Sequence, residues 1–240
     1  VLAAGSVETL EWLRTRVGVD LSRTGQLGGH SYPRTHRPAS GMAGSTLVLA
    51  LQKACDAYKK SGKLVVRKKT KADEVIVDDN TGAVRGVRWS STAGTTKKRK
   101  QGDTIAAAAS AAAATTEGVD MARAVILATG GFANDRDGED SLLRRYAPAA
   151  VRFATTNTRG TTGDGHKMAF KIGAAAVDLA NVQIHPTGFV DPADPSAQTK
   201  TLAAEILRGA GALLLTRDGR RFADELGTRD YVSGRMLAEA

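Results

Sequence analysis

The residue pattern predicts an α/β fold, and three stretches carry that expectation. Ala124-Val125-Ile126-Leu127-Ala128-Thr129-Gly130-Gly131-Phe132 is an apolar run ending in small residues, the pattern of a strand buried on both faces of a parallel sheet. The segments 74–77 and 83–89 flank the turn Asp78-Asp79-Asn80-Thr81-Gly82, which predicts an antiparallel hairpin. Thr162-Gly163-Asp164-Gly165 precedes a helical pattern from His166 to about Ile172, with Met168, Ala169 and Ile172 inward. With 240 residues, 42% of them hydrophobic, the chain can bury a core and make one large domain or one domain plus part of a second.

The remaining elements follow in chain order. Residues 7–17 place Leu10, Leu13 and Val17 at helical spacing. Residues 28–38 are too rich in Gly and Pro for regular structure and predict an ordered loop. Ser45 is expected to cap a helix from Thr46 to about Lys60, with Leu47, Val48, Leu51, Ala54, Cys55 and Tyr58 on one face and Gly62 ending it. Lys63–Arg67 reads as a short strand. Residues 93–118, with Ala106–Ala109 and Ala111–Ala114, read as a low-complexity insertion at a hairpin tip. Asp140–Tyr146 predicts a short helix, and Val177–Ile184 a strand leading into His185. The G-x-G-x-x-G turn after a first strand is absent, as is the acidic residue about 20 positions on, so a dinucleotide fold here would lack its first βαβ unit.

The net charge of +9, from 34 basic and 25 acidic residues, points to anionic partners. It does not point to nucleic acid. The dense basic run Lys97-Lys98-Arg99-Lys100 has no interleaved aromatics and reads as a solvated loop, and only 5% of the chain is aromatic. A single cysteine, Cys55, excludes an internal disulfide and a cysteine-built zinc site, and is compatible with a reducing intracellular compartment. It reads as a small helix-core residue. No metal-ligand constellation stands out. No apolar run approaches a membrane span, so an integral membrane protein is not expected, and no signal peptide is evident. The chain starts and stops inside amphipathic patterns, as a piece of a longer protein would.

The chemistry concentrates between His185 and Asp230. Cationic side chains on Gly-punctuated turns suit a small dicarboxylate, because a guanidinium fork matches a carboxylate at two points. Glu205 and Arg208, three apart, share a face of a helical turn, as part of a site or as a local ion pair. His185 is a site residue or a packing residue. Arg220, Arg221 and Arg229 with Asp224, Glu225 and Asp230 form a site or a charged surface. Thr162–Gly165 offers backbone N–H groups at a helix start to a phosphate or a flavin edge, or is an ordinary cap. Ala128–Gly131 lets a cofactor approach the backbone, or is a tight strand exit. Arg34, His36 and Arg37 hold an anion, or pin their loop.

Six motifs then occur in order: G-G-H-S-Y-P-R-T-H-R-P, A-T-G-G-F-A, T-G-D-G-H-K-M-A, Q-I-H-P-T-G, E-I-L-R-G-A-G-A and E-L-G-T-R-D. Together they resemble the FAD-dependent fumarate reductases of the soluble eukaryotic NADH-linked and flavocytochrome c types, relatives of the succinate dehydrogenase flavoprotein. The resemblance covers nearly all of the chain outside the Ala-rich insertion. It implies an FAD-binding Rossmann-like domain lacking its N-terminal unit, with a β-meander, over 1–184, and the start of an α+β capping domain over 185–240. It implies FAD as cofactor, fumarate or succinate as substrate, and NADH as electron donor through another domain or partner protein.

Residue by residue, the resemblance assigns Arg229 as proton donor, with Glu205 and Arg208 as its proton relay. It assigns His185, Thr187 and Glu205 to substrate binding. Ala72, Ala128, Thr129, Gly130, Asp164 and Gly165 are assigned to FAD. There are departures. Ala204 stands where the bacterial enzymes carry a substrate-binding threonine, Gly227-Thr228 replaces Thr-Thr, and the spacing from His185 to Glu205 is longer. Further site groups are expected beyond Ala240. A sister flavoenzyme (succinate dehydrogenase, aspartate oxidase or enoate reductase type) and a non-catalytic flavoprotein are the alternatives.

Overall fold

The computed structural model describes residues 2–92 and 115–239. It divides by contacts into two compact units: Val1–Val65 with Arg152–Thr156 and Asn181–Ala240, and Val66–Val151 with Asn157–Ala180. Helices and sheet alternate along the chain, as the predicted α/β class requires.

In the first unit, α1 (Leu2–Trp12) passes into a π turn, Leu13–Val17. Gly18 closes it in the left-handed region, φ 77°, and donates its N–H to the Leu13 carbonyl. Val19 and Leu21 follow into the core. The short strands β1 (Arg23–Gly25) and β2 (Thr35–Arg37) pair antiparallel. The stretch expected to be loop throughout therefore ends in a strand. Thr35–Arg37 lies between Pro33 and Pro38 and is free of Gly and Pro, and the His36 ring Nδ1 sits 2.9 Å from the Leu21 carbonyl. Next, α2 (Ala43–Ala54) begins ahead of Thr46, so Ser45 is not its cap. Met42 holds that place in an extended conformation, and the Ser45 hydroxyl donates back to the Met42 carbonyl, 3.0 Å. The helix breaks at Cys55 and resumes as α3 (Asp56–Lys60). Gly62, φ 72°, ends it as predicted.

Lys63–Arg67 is not a strand, because the N–H groups of Lys63 and Leu64 close the helix end on the Tyr58 carbonyl. Nor is Val177–Ile184, where Asp178 takes φ 56° and turns the chain.

The second unit is built on a meander of β3 (Thr70–Val77), β4 (Val84–Thr92) and β5 (Thr115–Met121). The predicted turn closes β3 on β4. Asp78 donates its N–H to the Ala83 carbonyl at 2.9 Å, its carboxylate accepts the Asn80 and Thr81 amides, and Gly82 takes φ 68°. The insertion expected at 93–118 lies outside the described residues except for Thr115–Gly118, which open β5. The helix α4 (Leu142–Tyr146) is capped by Ser141, which accepts the Arg144 amide, and buries Leu142 and Leu143. Helix α5 (Asp164–Lys171) lies against β3 and buries Met168.

The apolar run Ala124–Phe132 pairs with no strand among the described residues, and Ile126 is 90% exposed. The predicted strand is thus extended chain. A parallel strand exists only through neighbours, and the described residues supply none.

Back in the first unit, β6 (Gly188–Phe189) pairs with β7 (Thr201–Leu202) ahead of α6 (Ile206–Gly209). A bridge from Leu215 to Arg221 precedes α7 (Arg229–Ala238), which buries Val232. Among the described residues no helix is long and apolar enough to cross a membrane.

Candidate functional site

Two clusters collect the nominated residues, one in each unit. In the first unit, Thr228 stands in an extended conformation and accepts the Tyr231 N–H at 3.3 Å, which makes Arg229 the first residue of α7. Glu205 immediately precedes α6, and its side chain makes no cap bond there. Arg229 donates through Nε and Nη2 to Glu205 Oε2 at 3.0 and 2.9 Å, and through Nη1 to Gln183 Oε1 at 3.0 Å. Glu205 Oε1 accepts the Gly28 N–H at 2.6 Å. Only glycine fits at 28, because a Cβ there would lie 2.6 Å from both Glu205 Oε1 and the Gly227 carbonyl.

Glu205 is only 8% exposed. Burial pushes its carboxyl up, but the Arg229 hydrogen bond and charge, the Gly28 amide and the Arg208 charge outweigh it and hold the group below its ordinary value. Arg208 is 4% exposed. Its Nη1 donates to the Glu225 carbonyl at 2.6 Å, and its Nε and Nη2 have no partner among the described residues.

His185 Nδ1 lies 3.0 Å from the Thr187 carbonyl and 3.4 Å from the Thr187 N, so the tautomer decides which contact is the hydrogen bond. The Thr187 hydroxyl donates to the Ala203 carbonyl at 2.8 Å. Burial lowers the His185 pKa, and Arg229 and Arg208 add to this against the Thr187 contact and Glu205.

Of the five residues assigned between 185 and 229, His185, Glu205, Arg208 and Arg229 come within electrostatic reach of one another, and Thr187 contacts the His185 ring. Glu205 and Arg229 are in contact, whereas the hydrogen bond of Arg208 goes to Glu225 and not to Glu205. Gln183, Gly28 and Glu225 carry no assigned role in the sequence reading, although Gln183 opens Q-I-H-P-T-G, Gly28 opens G-G-H-S-Y-P-R-T-H-R-P and Glu225 opens E-L-G-T-R-D.

In the second unit, Ala72 sits in β3 at a bulge before Glu74. Asp164 opens α5, accepts the Thr162 hydroxyl at 2.9 Å, and has Lys71 Nζ at 3.7 Å. Gly163, φ 68°, donates its N–H to the Gly131 carbonyl at 3.1 Å. A Cβ at Gly165 would lie 2.0 Å from Thr129 Oγ1, so the start of α5 rests directly on Thr129. Ala128, Thr129 and Gly130 are exposed, with Gly130 at φ 76°. All six nominated cofactor residues therefore lie in this unit, and Ala128–Gly130, Asp164 and Gly165 gather at one place. Exposed backbone beside a close-packed helix start admits a flat ligand at close range. The Asp164 carboxylate suits a ligand hydroxyl or N–H there better than a bare phosphate.

Residues 1–240 match the family model described as FAD binding domain. The chain belongs to the FAD binding domain family. The family spans both clusters, and its cofactor is the one expected from the motifs. The chain is 42% identical over 239 residues to "Fumarate reductase" of Schizosaccharomyces pombe, covering 98% of this chain and 42% of that protein. It is 34% identical over 234 residues to "Fumarate reductase 1" of Saccharomyces cerevisiae, covering 97% and 44%. In three dimensions it is similar to the open conformation of a flavocytochrome c3 fumarate reductase, with a TM-score of 0.66 and 28% identity over 100% of this chain and 36% of that one. The chain thus spans less than half the length of these family relatives.

Proposed function

We propose that the protein containing this chain reduces fumarate to succinate with FAD, drawing electrons from NADH through another domain or partner. The observation that carries this reading is the buried Glu205 carboxylate gripping Arg229 between Gly28 and Gln183. It fixes one cation on a helix start, beside His185 and Arg208, in a chain similar to fumarate reductases.

Ala72, Ala128, Thr129, Gly130, Asp164 and Gly165 hold the cofactor, which supplies a hydride to one alkene carbon of the substrate when bound. His185 and Thr187 orient a substrate carboxylate. Arg229 stabilises the charge that builds on the carboxylate beside the second carbon, and passes a proton from its guanidinium to that carbon. A free guanidinium, with a pKa above ~12, is a poor acid. The transfer proceeds because the carbanionic substrate is a far stronger base. Glu205 keeps Arg229 in place, and once Arg229 has given its proton to the substrate the carboxylate takes one proton from Arg208 and hands it to the neutral guanidine, Arg208 being reprotonated in turn from solvent.

Arg229→Ala in the full-length enzyme tests this reading. Turnover is expected to fall by about 10²–10⁴-fold with flavin content unchanged, and substantial residual turnover overturns the assignment. A second reading rests on Ala204, which stands where the bacterial enzymes carry a substrate-binding threonine. Another enoate or dicarboxylate is then preferred, and comparing kcat/KM for fumarate with a panel of enoates separates the two.

A further inference from the structure

Glu225 lies four residues before Arg229 in the turn that leads to α7, and its side chain is buried away from the Glu205–Arg229 pair. Its carboxylate is held on several sides. Arg221 Nε reaches both oxygens, at 3.2 and 3.0 Å, Arg221 Nη2 reaches Oε2 at 2.7 Å, and the Leu214 N–H reaches Oε1 at 2.9 Å. These contacts, the Arg221 bonds foremost, bring its carboxyl down to about 2. The side chain is thus locked as a buried, permanently charged peg between the Leu215–Arg221 bridge and its own turn.

The same residue's backbone does a second job. Its carbonyl accepts Nη1 of Arg208 at 2.6 Å, and among the described residues the Nε and Nη2 of that guanidinium are buried without a partner. The neighbours in the turn are fixed too. The Leu226 carbonyl accepts the Gly29 N–H at 2.7 Å, next to the Gly28 amide that holds Glu205, and Thr228 caps α7 at Arg229. Three anchors of the cluster therefore hang on one turn.

We infer that Glu225 is a positioning residue: clamped by Arg221, it sets through its backbone carbonyl where Arg208 sits, and so how fast Arg229 is reprotonated. The inference rests on the proton-transfer reading above. A side chain that only helped folding would change the amount of active enzyme. A positioning residue changes the proton step in the enzyme that has folded, since a misplacement of ~1 Å costs as much as about 10²-fold.

The experiment uses full-length holoenzyme carrying Glu225→Gln, which keeps the volume and loses the charge. Measured per bound flavin, kcat is expected to drop about tenfold or more, within that same limit. KM for fumarate stays near the wild-type value, and the solvent deuterium isotope effect on kcat rises because proton delivery becomes slower. Arg221→Met, which removes the clamp and leaves Glu225 in place, is expected to move both quantities in the same direction, and it decides the matter if Glu225→Gln yields no flavin-loaded protein. Wild-type kcat and isotope effect per flavin, in Glu225→Gln or failing that in Arg221→Met, overturn the inference. So does a loss of rate that only tracks lost flavin with the isotope effect unchanged. Arg229→Ala, run alongside, separates the two levels. If it retains turnover, the proton-transfer reading itself fails. If it is inactive while Glu225→Gln is normal, only the positioning role fails.

Discussion

At the scale of single residues, the cluster is a set of charges held away from their ordinary ionisation. Both Glu205 and Glu225 are held below their ordinary value of 4.5, and Glu225 down to about 2. A carboxyl whose folded pKa is depressed stabilises the fold above its unfolded pKa, and this contribution is lost as pH falls through the folded value. Stability of the full-length protein is therefore expected to decline from about pH 4.5 downward, and urea midpoints from pH 6 to pH 3 should fall less steeply in Glu225→Gln. An equal slope in the two proteins sinks this account. His185 shifts the same way: its pKa is lowered from 6.5, so its ring is neutral at pH 7, and stability linked to it is present above pH 6.5 and lost as pH falls below. Ring proton shifts in a pH titration by NMR should show a midpoint below 6.5. Most of this chemistry was legible in the chain: Glu205, Arg208 and Arg229 carry charge, and His185 a titratable ring, among glycines in one segment. The contact of Gln183 with Arg229 was not, since the motif that Gln183 opens does not say what its amide meets.

At the scale of elements, caps and close approaches decide placement. Thr228 turns the chain into α7 and so aims Arg229. Thr228→Ala should cost about 1 kcal/mol of stability and loosen Arg229, read as a fall in kcat together with a lower urea midpoint. In the meander, Gly118 faces Trp89, and a Cβ there would lie 2.3 Å from the indole ring. Gly118→Ala is expected to cost about 1–3 kcal/mol by overpacking, measured by denaturant unfolding, and a neutral result would show that the ring moves aside freely. The hairpin from Thr70 to Thr92 was legible because its turn residues act locally. The third strand was not. Thr115–Met121 is mostly exposed and lacks apolar alternation, and it exists through its pairing with β4. The opposite error, a strand at Ala124–Phe132, has the same root: an apolar run records a preference for burial and says nothing of whether neighbours are there to bury it.

At the scale of the whole molecule, apolar surface remains open. Ile126 and Val177 are among the most exposed large side chains, in segments that the pattern marks as interior. The chain covers 42% of its Schizosaccharomyces pombe relative. Expressed alone, these 240 residues are expected to bind a hydrophobic dye such as ANS strongly and to retain less than stoichiometric flavin, while the full-length protein does neither. Weak dye binding with full flavin loading would count against this.

The sequence by itself determined the α/β class, the hairpin turn, the helix end at Gly62, and, through six motifs in order, the family. Each of these follows from backbone preferences and side-chain periods within a few residues. Only the tertiary structure decided that Glu205 meets the amide of Gly28, 177 positions away, that Arg229 meets Gln183, and that Arg208 hangs from the carbonyl of Glu225. Two of these contacts end on a backbone group that every residue carries alike, and the third joins side chains 46 positions apart, so no local pattern announces them. They exist only once the chain has closed on itself and burial has left each polar group to find a partner.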